Sequence, residues 1–188
     1  MNSKTEVTAE EIVEKLTQEA PQGGEVSYDG VTVKGKLDLR HRVIQVAVTL
    51  TNCIFTDEVE LGYCEFKQFV SFSESRFEKD LDGVKAICRK SLDFSEAVFL
   101  GNANFNVLQC EGVGFFRDAQ FENEEKDINF GHAIFGILDC DRATFKGGAS
   151  FNAVQCEESG FFRDAQFEDE GKDINFNHAR FGQLDCDR

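Results

Sequence analysis

The sequence predicts an all-β solenoid, a four-sided β-helix closed at its N-terminal end by a short helix. Three observations predict it. Phenylalanine occurs 20 times in 188 residues, whereas Trp is absent, Tyr occurs twice and Pro once. Apolar residues recur at steps of five or six along most of the chain. The C-terminal part repeats itself at an offset of 46 residues. A mixed core draws on Leu, Ile, Val and Phe together. A bias toward one ring marks a structural position that recurs, which is the mark of a repeat architecture.

The first element of the pattern is a series of central positions. It runs Tyr28, Val33, Leu39, Ile44, Leu50, Phe55, Leu61, Phe66, Phe72, Phe77, Gly83, Cys88, Phe94, Phe99, Phe105, Cys110, Phe116 and Phe121. After a step of nine it resumes with Phe130, Phe135, Cys140, Phe145, Phe151, Cys156, Phe162 and Phe167, and after a second step of nine with Phe176, Phe181 and Cys186. A second column stands two residues before the centres, as in Val48, Cys53, Val59, Cys64, Val70, Ala97, Ala103 and Gly114. It is small or aliphatic, with Arg42 the exception. The residues between are mostly polar.

Helices place apolar residues three and four apart, and half-buried strands alternate. Apolar–x–apolar followed by two or three polar residues fits neither for long. It fits a short extended side with two inward residues and then a corner. Four sides give a coil of 20 to 24 residues, with coils stacked at about the strand spacing of 4.8 Å. Taking every fourth centre yields the core column Phe55, Phe77, Phe99, Phe121, Phe145, Phe167, whose rings are expected to stack offset along the axis. The opposite column, Phe66, Cys88, Cys110, Phe135, Cys156, Phe181, is smaller and is expected to compensate for the facing rings. About seven coils make a rod of roughly 34 Å. The duplication pairs Phe105–Arg142 with Phe151–Arg188 and includes the identical blocks Phe115–Phe121 and Phe161–Phe167.

The runs Ala97-Val98-Phe99-Leu100-Gly101-Asn102-Ala103-Asn104-Phe105 and Ala143-Thr144-Phe145-Lys146-Gly147-Gly148-Ala149-Ser150-Phe151 resemble the Phe-rich branch of the pentapeptide-repeat family. The resemblance covers roughly residues 26–188 and implies a right-handed quadrilateral β-helix. Alternating five- and six-residue steps depart from strict pentads, so some corners should bulge. A left-handed triangular β-helix of the acyltransferase type would need sustained six-residue steps, which are missing.

The expected domains are an N-terminal tail and capping helix (1–25) and one β-helix (26–188) containing the duplicated segments 105–150 and 151–188. Thr8-Ala9-Glu10-Glu11 reads as a capping box, with Glu11 reaching back to Thr8. Ile12, Val13 and Leu16 give one apolar face to a helix of about ten residues that Pro21, Gly23 and Gly24 end. Such a helix would cover core and unpaired backbone at the coil end. At the other end, Leu184-Asp185-Cys186-Asp187-Arg188 stops in mid-repeat. That reads as a fragment of a longer chain or as an open coil joined to a second copy in a homodimer.

The net charge is −15, and residues 105–188 carry 17 acids against 8 bases. This surface repels phosphates, so no direct nucleic-acid binding is expected, and it disfavours anionic membranes. It suits a basic protein surface, or simply keeps an exposed solenoid soluble. No run reaches the roughly 18 apolar residues of a membrane span, and Met1–Glu6 lacks the apolar core of a signal peptide. The chain reads as cytoplasmic.

Chemistry-bearing residues are few. Cys53, Cys64, Cys88, Cys110, Cys140, Cys156 and Cys186 all fall on inward positions, without metal-ligand spacing. An odd count without a secretory signal reads as reduced, buried thiols. His132 and His178 are related by the duplication and stand near Asp127 and Asp173, but the repetition itself explains the pairing; His41 is the third histidine. The nine-residue steps carry acidic loops, Glu122, Glu124, Glu125, Asp127 and Glu168, Asp169, Glu170, Asp173, expected on one edge roughly 10 Å apart. They are candidates for partner binding or calcium, or are solvated bulges. Asp93, Asp139 and Asp185 are expected to form a further acidic ladder. No catalytic site, metal or cofactor is expected. The functional expectation is a non-catalytic interaction scaffold. The resemblance adds an alternative, an acidic DNA mimic that binds a type II topoisomerase such as DNA gyrase.

Overall fold

A computed structural model describes residues 5–17, 24–125, 128–168 and 174–187. Over these residues the chain is an all-β parallel solenoid of about eight turns with one short helix near its N-terminus. Each pairing joins a residue to its equivalent one coil later. Val48 pairs with Val70 and Val70 with Leu92, 22 residues on each time.

Four ladders run along the molecule. The first passes through Val26, Val48, Val70, Leu92, Gly114, Leu138, Gly160 and Leu184. The second passes through Val33 and the column from Phe55 to Phe167. The third carries Leu37, Val59, Leu81 and Ala103, then Ile128, Ala149 and Ile174. The fourth carries Ile44, Phe66, Cys88, Cys110, Phe135, Cys156 and Phe181.

The uneven step has a physical cause. Five-residue steps leave the first and third ladders through a tight four-residue turn. Ser75 N–H donates to the Phe72 carbonyl at 3.3 Å, and Glu74 between them has φ 57°. Among the described residues thirteen non-glycine positions hold a positive φ of this kind, including His41, Tyr63, Lys85, Val107, His132, Ala153 and His178 on the corner between the third and fourth ladders. Each costs roughly 1 kcal/mol in backbone strain. Hydrogen bonds along the axis offset it: Glu74 N–H donates to Ser95 O, Glu96 N–H to Arg117 O and Lys85 N–H to Asn106 O, at 2.8, 2.8 and 2.9 Å. Six-residue steps round most of the other two corners with one residue more, the exceptions being the nine-residue steps after Phe121 and Phe167 and the five-residue steps after Phe135 and Phe181. The bulges expected from the mixed steps lie at one of these, between the fourth and first ladders, where the register shifts between Cys110 and Val113, Phe135 and Ile137, and Cys156 and Ser159.

In several coils the residue just before a centre on the first and third ladders closes the turn that follows. Its side-chain oxygen accepts the N–H two residues on: Asp82 from Val84, Asp93 from Ser95, Asn104 from Asn106 and Asn129 from Gly131, at 2.8–3.1 Å. Asp and Asn suit this position because their short side chains reach their own backbone, although Phe115 and Phe161 hold it in two coils of the first ladder.

Inside, the aromatic column is buried from Phe55 to Phe145, with Phe167 exposed at its end, and is stacked throughout. Ring centroids from Phe55 to Phe77, Phe99, Phe121, Phe145 and Phe167 are 4.9, 5.0, 4.7, 4.9 and 5.0 Å apart, within 8° of parallel. Neighbouring columns meet edge to face, as Phe99 and Phe105 do at 89°. Ser75 lies among these apolar residues with no exposure, its hydroxyl donating to Leu50 O at 2.9 Å and accepting from Cys53 N–H at 3.0 Å.

Volume compensation occurs between adjacent ladders. At two of the three Phe positions of the fourth ladder the first has a glycine beneath the ring, Phe66 having Val48 instead: a Cβ at Gly114 would lie 2.6 Å from the Phe135 ring, and one at Gly160 2.4 Å from Phe181. Where it has Cys88 and Cys110, the first ladder has Val70 and Leu92. Gly83 is unlike these, since a Cβ there would touch Phe105 and the Asn104 carbonyl at an ordinary 3.4 Å. Gly114→Ala is therefore expected to cost about 1–3 kcal/mol through overpacking, and Gly83→Ala to be neutral or slightly stabilising. Urea titrations of the two variants check this, and equal losses would contradict it.

At the N-terminal end a strand, Glu6–Thr8, precedes the helix α1, Ala9–Thr17. Sequence reasoning placed only a tail there. The strand pairs with Thr32–Lys34 and gives the second ladder eight rungs, as the first has, against the seven coils expected. Thr8 caps the helix as expected, its Oγ1 accepting Glu11 N–H at 3.1 Å. Glu11 does not reach back to Thr8. Its carboxylate accepts from Lys15 Nζ at 3.2 Å and from the Tyr28 hydroxyl at 3.1 Å, tying helix to first coil. Ala9, Ile12 and Leu16 join the solenoid core, and Val13 is partly buried against it. Pro21 and Gly23 lie outside the described residues.

Candidate functional site

The acidic loops occupy the corner between the second and third ladders. Glu122, Glu124, Glu125 and Glu168 are described; Asp127, Asp169, Glu170 and Asp173 lie outside the described residues. The same corner carries Asp57 and Glu58, then Glu78 and Asp80, in earlier coils, so the acidic edge extends into the proximal half. Those four were overlooked because no insertion marks them; counting the residues after each centre of the second ladder finds them. The edge is partly neutralised from within. Lys146 Nζ lies 2.6 Å from Glu122 Oε2, and its pKa is raised by that bond and by the charges of Glu122, Glu168 and Glu124. Asp80 accepts Asn102 N–H at 2.8 Å, and Asp57 accepts Gly35 N–H at 2.9 Å. Among the described residues no group of three or more His, Cys, Asp or Glu is placed to hold a metal ion.

Asp93, Asp139 and Asp185 do not form a continuous acidic ladder. Phe115 and Phe161 alternate with them in the pairing. Each aspartate closes the next turn, Asp139 and Asp185 accepting from Asp141 and Asp187 at 3.2 and 3.1 Å. Asp139 is 1% exposed and lies 2.5 Å from Arg117, which covers the Phe115 ring at 5.6 Å. The next coil inverts the order of charge. Arg117-Asp118 is followed by Asp141-Arg142 and then by Arg163-Asp164. Arg142 grips Asp118 through two bonds of 2.8 and 2.7 Å, and Arg163 binds Asp141. Burial pushes the Asp141 carboxyl up, but its bonds to Arg163 outweigh this and hold it below the usual carboxylate range.

His41, His132 and His178 are exposed on one corner at φ 58–59°. His132 and His178 stand two coils apart with Ala153 between them.

The cysteines are free thiols, six buried and Cys186 exposed. Cys88 and Cys110 are register partners on adjacent coils. Burial raises Cys64 and Cys156 to about 12 and Cys110 to about 11, and pushes Cys88 and Cys140 well up. A thiol so protonated is neither nucleophile nor metal ligand at neutral pH. Iodoacetamide is therefore expected to label Cys186 alone in the native chain and all seven thiols after denaturation, as counted by intact mass. Rapid native labelling of Cys88 would contradict the packing. A depression of about 250 Å³ lined by Gln109, Cys110, Glu111, Ile134, Gly136 and Glu157 holds one such protonated thiol, and its Glu111 is paired to Arg89 at 2.5 Å.

The geometry thus defines a parallel β-solenoid with an apolar core and ion pairs along its corners. No family model, curated protein or solved structure matches the chain. No helix among the described residues is long and apolar enough to cross a membrane.

Proposed function

We propose that this chain is a non-catalytic protein-interaction scaffold of the pentapeptide-repeat type, acting in the cytoplasm and presenting its acidic corner to a basic partner surface. One observation carries the reading: among the described residues carboxylates stand on a single corner in four coils, as Asp57 and Glu58, Glu78 and Asp80, Glu122, Glu124 and Glu125, and Glu168, while the coils of Phe99 and Phe145 carry none there, and the core beneath is apolar. Buried free thiols fit a reducing compartment. The test is crosslinking in extract, identification of the crosslinked protein and reconstitution from purified components. Binding should fall with salt and be lost in the Glu124→Gln/Glu125→Gln/Glu168→Gln variant. A reconstituted complex indifferent to both would overturn the acidic-corner reading.

The net charge of −15 on a rod of stacked coils favours a second reading, an acidic DNA mimic that engages a type II topoisomerase such as DNA gyrase. A supercoiling assay with added protein tests it. Unchanged supercoiling, and no protection from quinolones, would eliminate it.

A further inference from the structure

The corner between the third and fourth ladders carries a patch unlike the rest of this acidic chain. Arg42 stands where the repeat calls for a small inward residue. Its side chain is exposed instead, and Val46, 1% exposed, lies in the core nearby. A position that breaks the local rule while the fold stays intact is where a binding role is sought first. Beside it Val43 is 51% exposed, and Tyr63, one coil on, is 49% exposed. His41 stacks on Tyr63 with centroids 4.9 Å apart, and Lys85 closes the other side, its Nζ 3.2 Å from the Tyr63 hydroxyl and 5.1 Å from the ring centre. Both faces of the tyrosine are thus covered, so it offers an edge and a hydroxyl and no face on which a base would stack. Nearby carboxylates are already engaged: Asp38 and Glu60 are bound by Arg40 and Lys36. Arg42 and Lys85 take no carboxylate among the described residues.

We infer that this corner, formed by His41, Arg42, Val43, Tyr63 and Lys85, is a second docking surface of opposite sign, for an acidic protein segment that also bears apolar side chains. Charge complementarity selects the partner, with Arg42 and Lys85 as the unmatched cations. Arg and Tyr are also the residue types that most often anchor interfaces. The chain as a whole repels an acidic partner at long range, so recognition is short-ranged and needs the apolar contact that Val43 and Tyr63 supply. This surface is independent of the acidic corner, and its failure leaves that reading untouched.

The test is fluorescence anisotropy of a labelled peptide of alternating glutamate and leucine, titrated with the full chain at low salt. Saturable binding is expected. Arg42→Gln/Lys85→Gln should weaken it roughly tenfold and Tyr63→Ser should weaken it further, all three side chains being exposed. Lys79→Gln/Lys90→Gln removes the same charge elsewhere and should change nothing. Three results would overturn the inference: no saturable binding, equal weakening by both pairs, or tighter binding of a single-stranded oligonucleotide of matched charge.

Discussion

Phe99→Ala is expected to lower stability by about 3–5 kcal/mol, the largest loss available from one side chain of this core. The ring is 1% exposed and stacked at 5.0 and 4.7 Å between Phe77 and Phe121, with Phe94 and Phe105 at 5.5 and 6.3 Å. No side chain can shift sideways into the hole, because each ring is held by the backbone register of its own coil. A solenoid couples only neighbouring coils. The urea transition should therefore also broaden, as the coils on either side of residue 99 begin to unfold separately. Phe167→Ala, at a position 37% exposed in the last described coil, is the comparison and should cost well under half as much. If it costs more than Phe99→Ala, the stacked column is not what holds the molecule together.

Much of that column was legible in the sequence, because one inward position per side repeats at nearly constant spacing and accepts few residues besides Phe. The pairing of ladders follows from the same count. The stacked rings, the bulged corners and the N-terminal cap at Thr8 agree with it. Other features were out of reach for physical reasons. Glu6-Val7-Thr8 has a single apolar residue and shows its strand character only through its partner Val33. Asp139 reads as surface charge in a polar run, yet Arg117, a coil away, covers it. The acid before each centre looked like a partner-facing ladder because turn closure and partner binding draw on the same residue types. The acidic corner was legible only where insertions exposed it, and Asp57, Glu58, Glu78 and Asp80 needed the coil register to join it.

Alkali is expected to unfold the chain cooperatively. The thiols of Cys64, Cys88, Cys110, Cys140 and Cys156 have folded pKa values raised by burial, to about 11 or 12 where the rise is bounded. An unfolded thiol ionises near its ordinary value of about 8.5. The stabilisation from protonated burial is whole below that value and is lost as pH climbs toward the folded values. Each thiol weakens the fold by about 1.4 kcal/mol per pH unit in that window, so five together remove about 7 kcal/mol per unit. Against a net stability of about 5–15 kcal/mol, unfolding should be complete between about pH 10 and 11. Far-ultraviolet circular dichroism and thiolate absorbance, followed together under a reducing agent, should change at one midpoint. Native dichroism persisting above about pH 11.5 would show that these thiols are not the weak point.

The inverted order of Arg-Asp and Asp-Arg in successive coils sets a rule for how this molecule changes length. Removing residues 105–150, one whole 46-residue unit, leaves the coil of Asp164 above that of Glu96 with every ladder in step. Removing a single coil would set Arg163 against Arg117 and Asp164 against Asp118, and would leave Arg117 without the carboxylate it now covers. Growth and shortening in this lineage should therefore proceed by pairs of coils, with a lone insertion rejected by electrostatics even where the hydrophobic spacing would accept it.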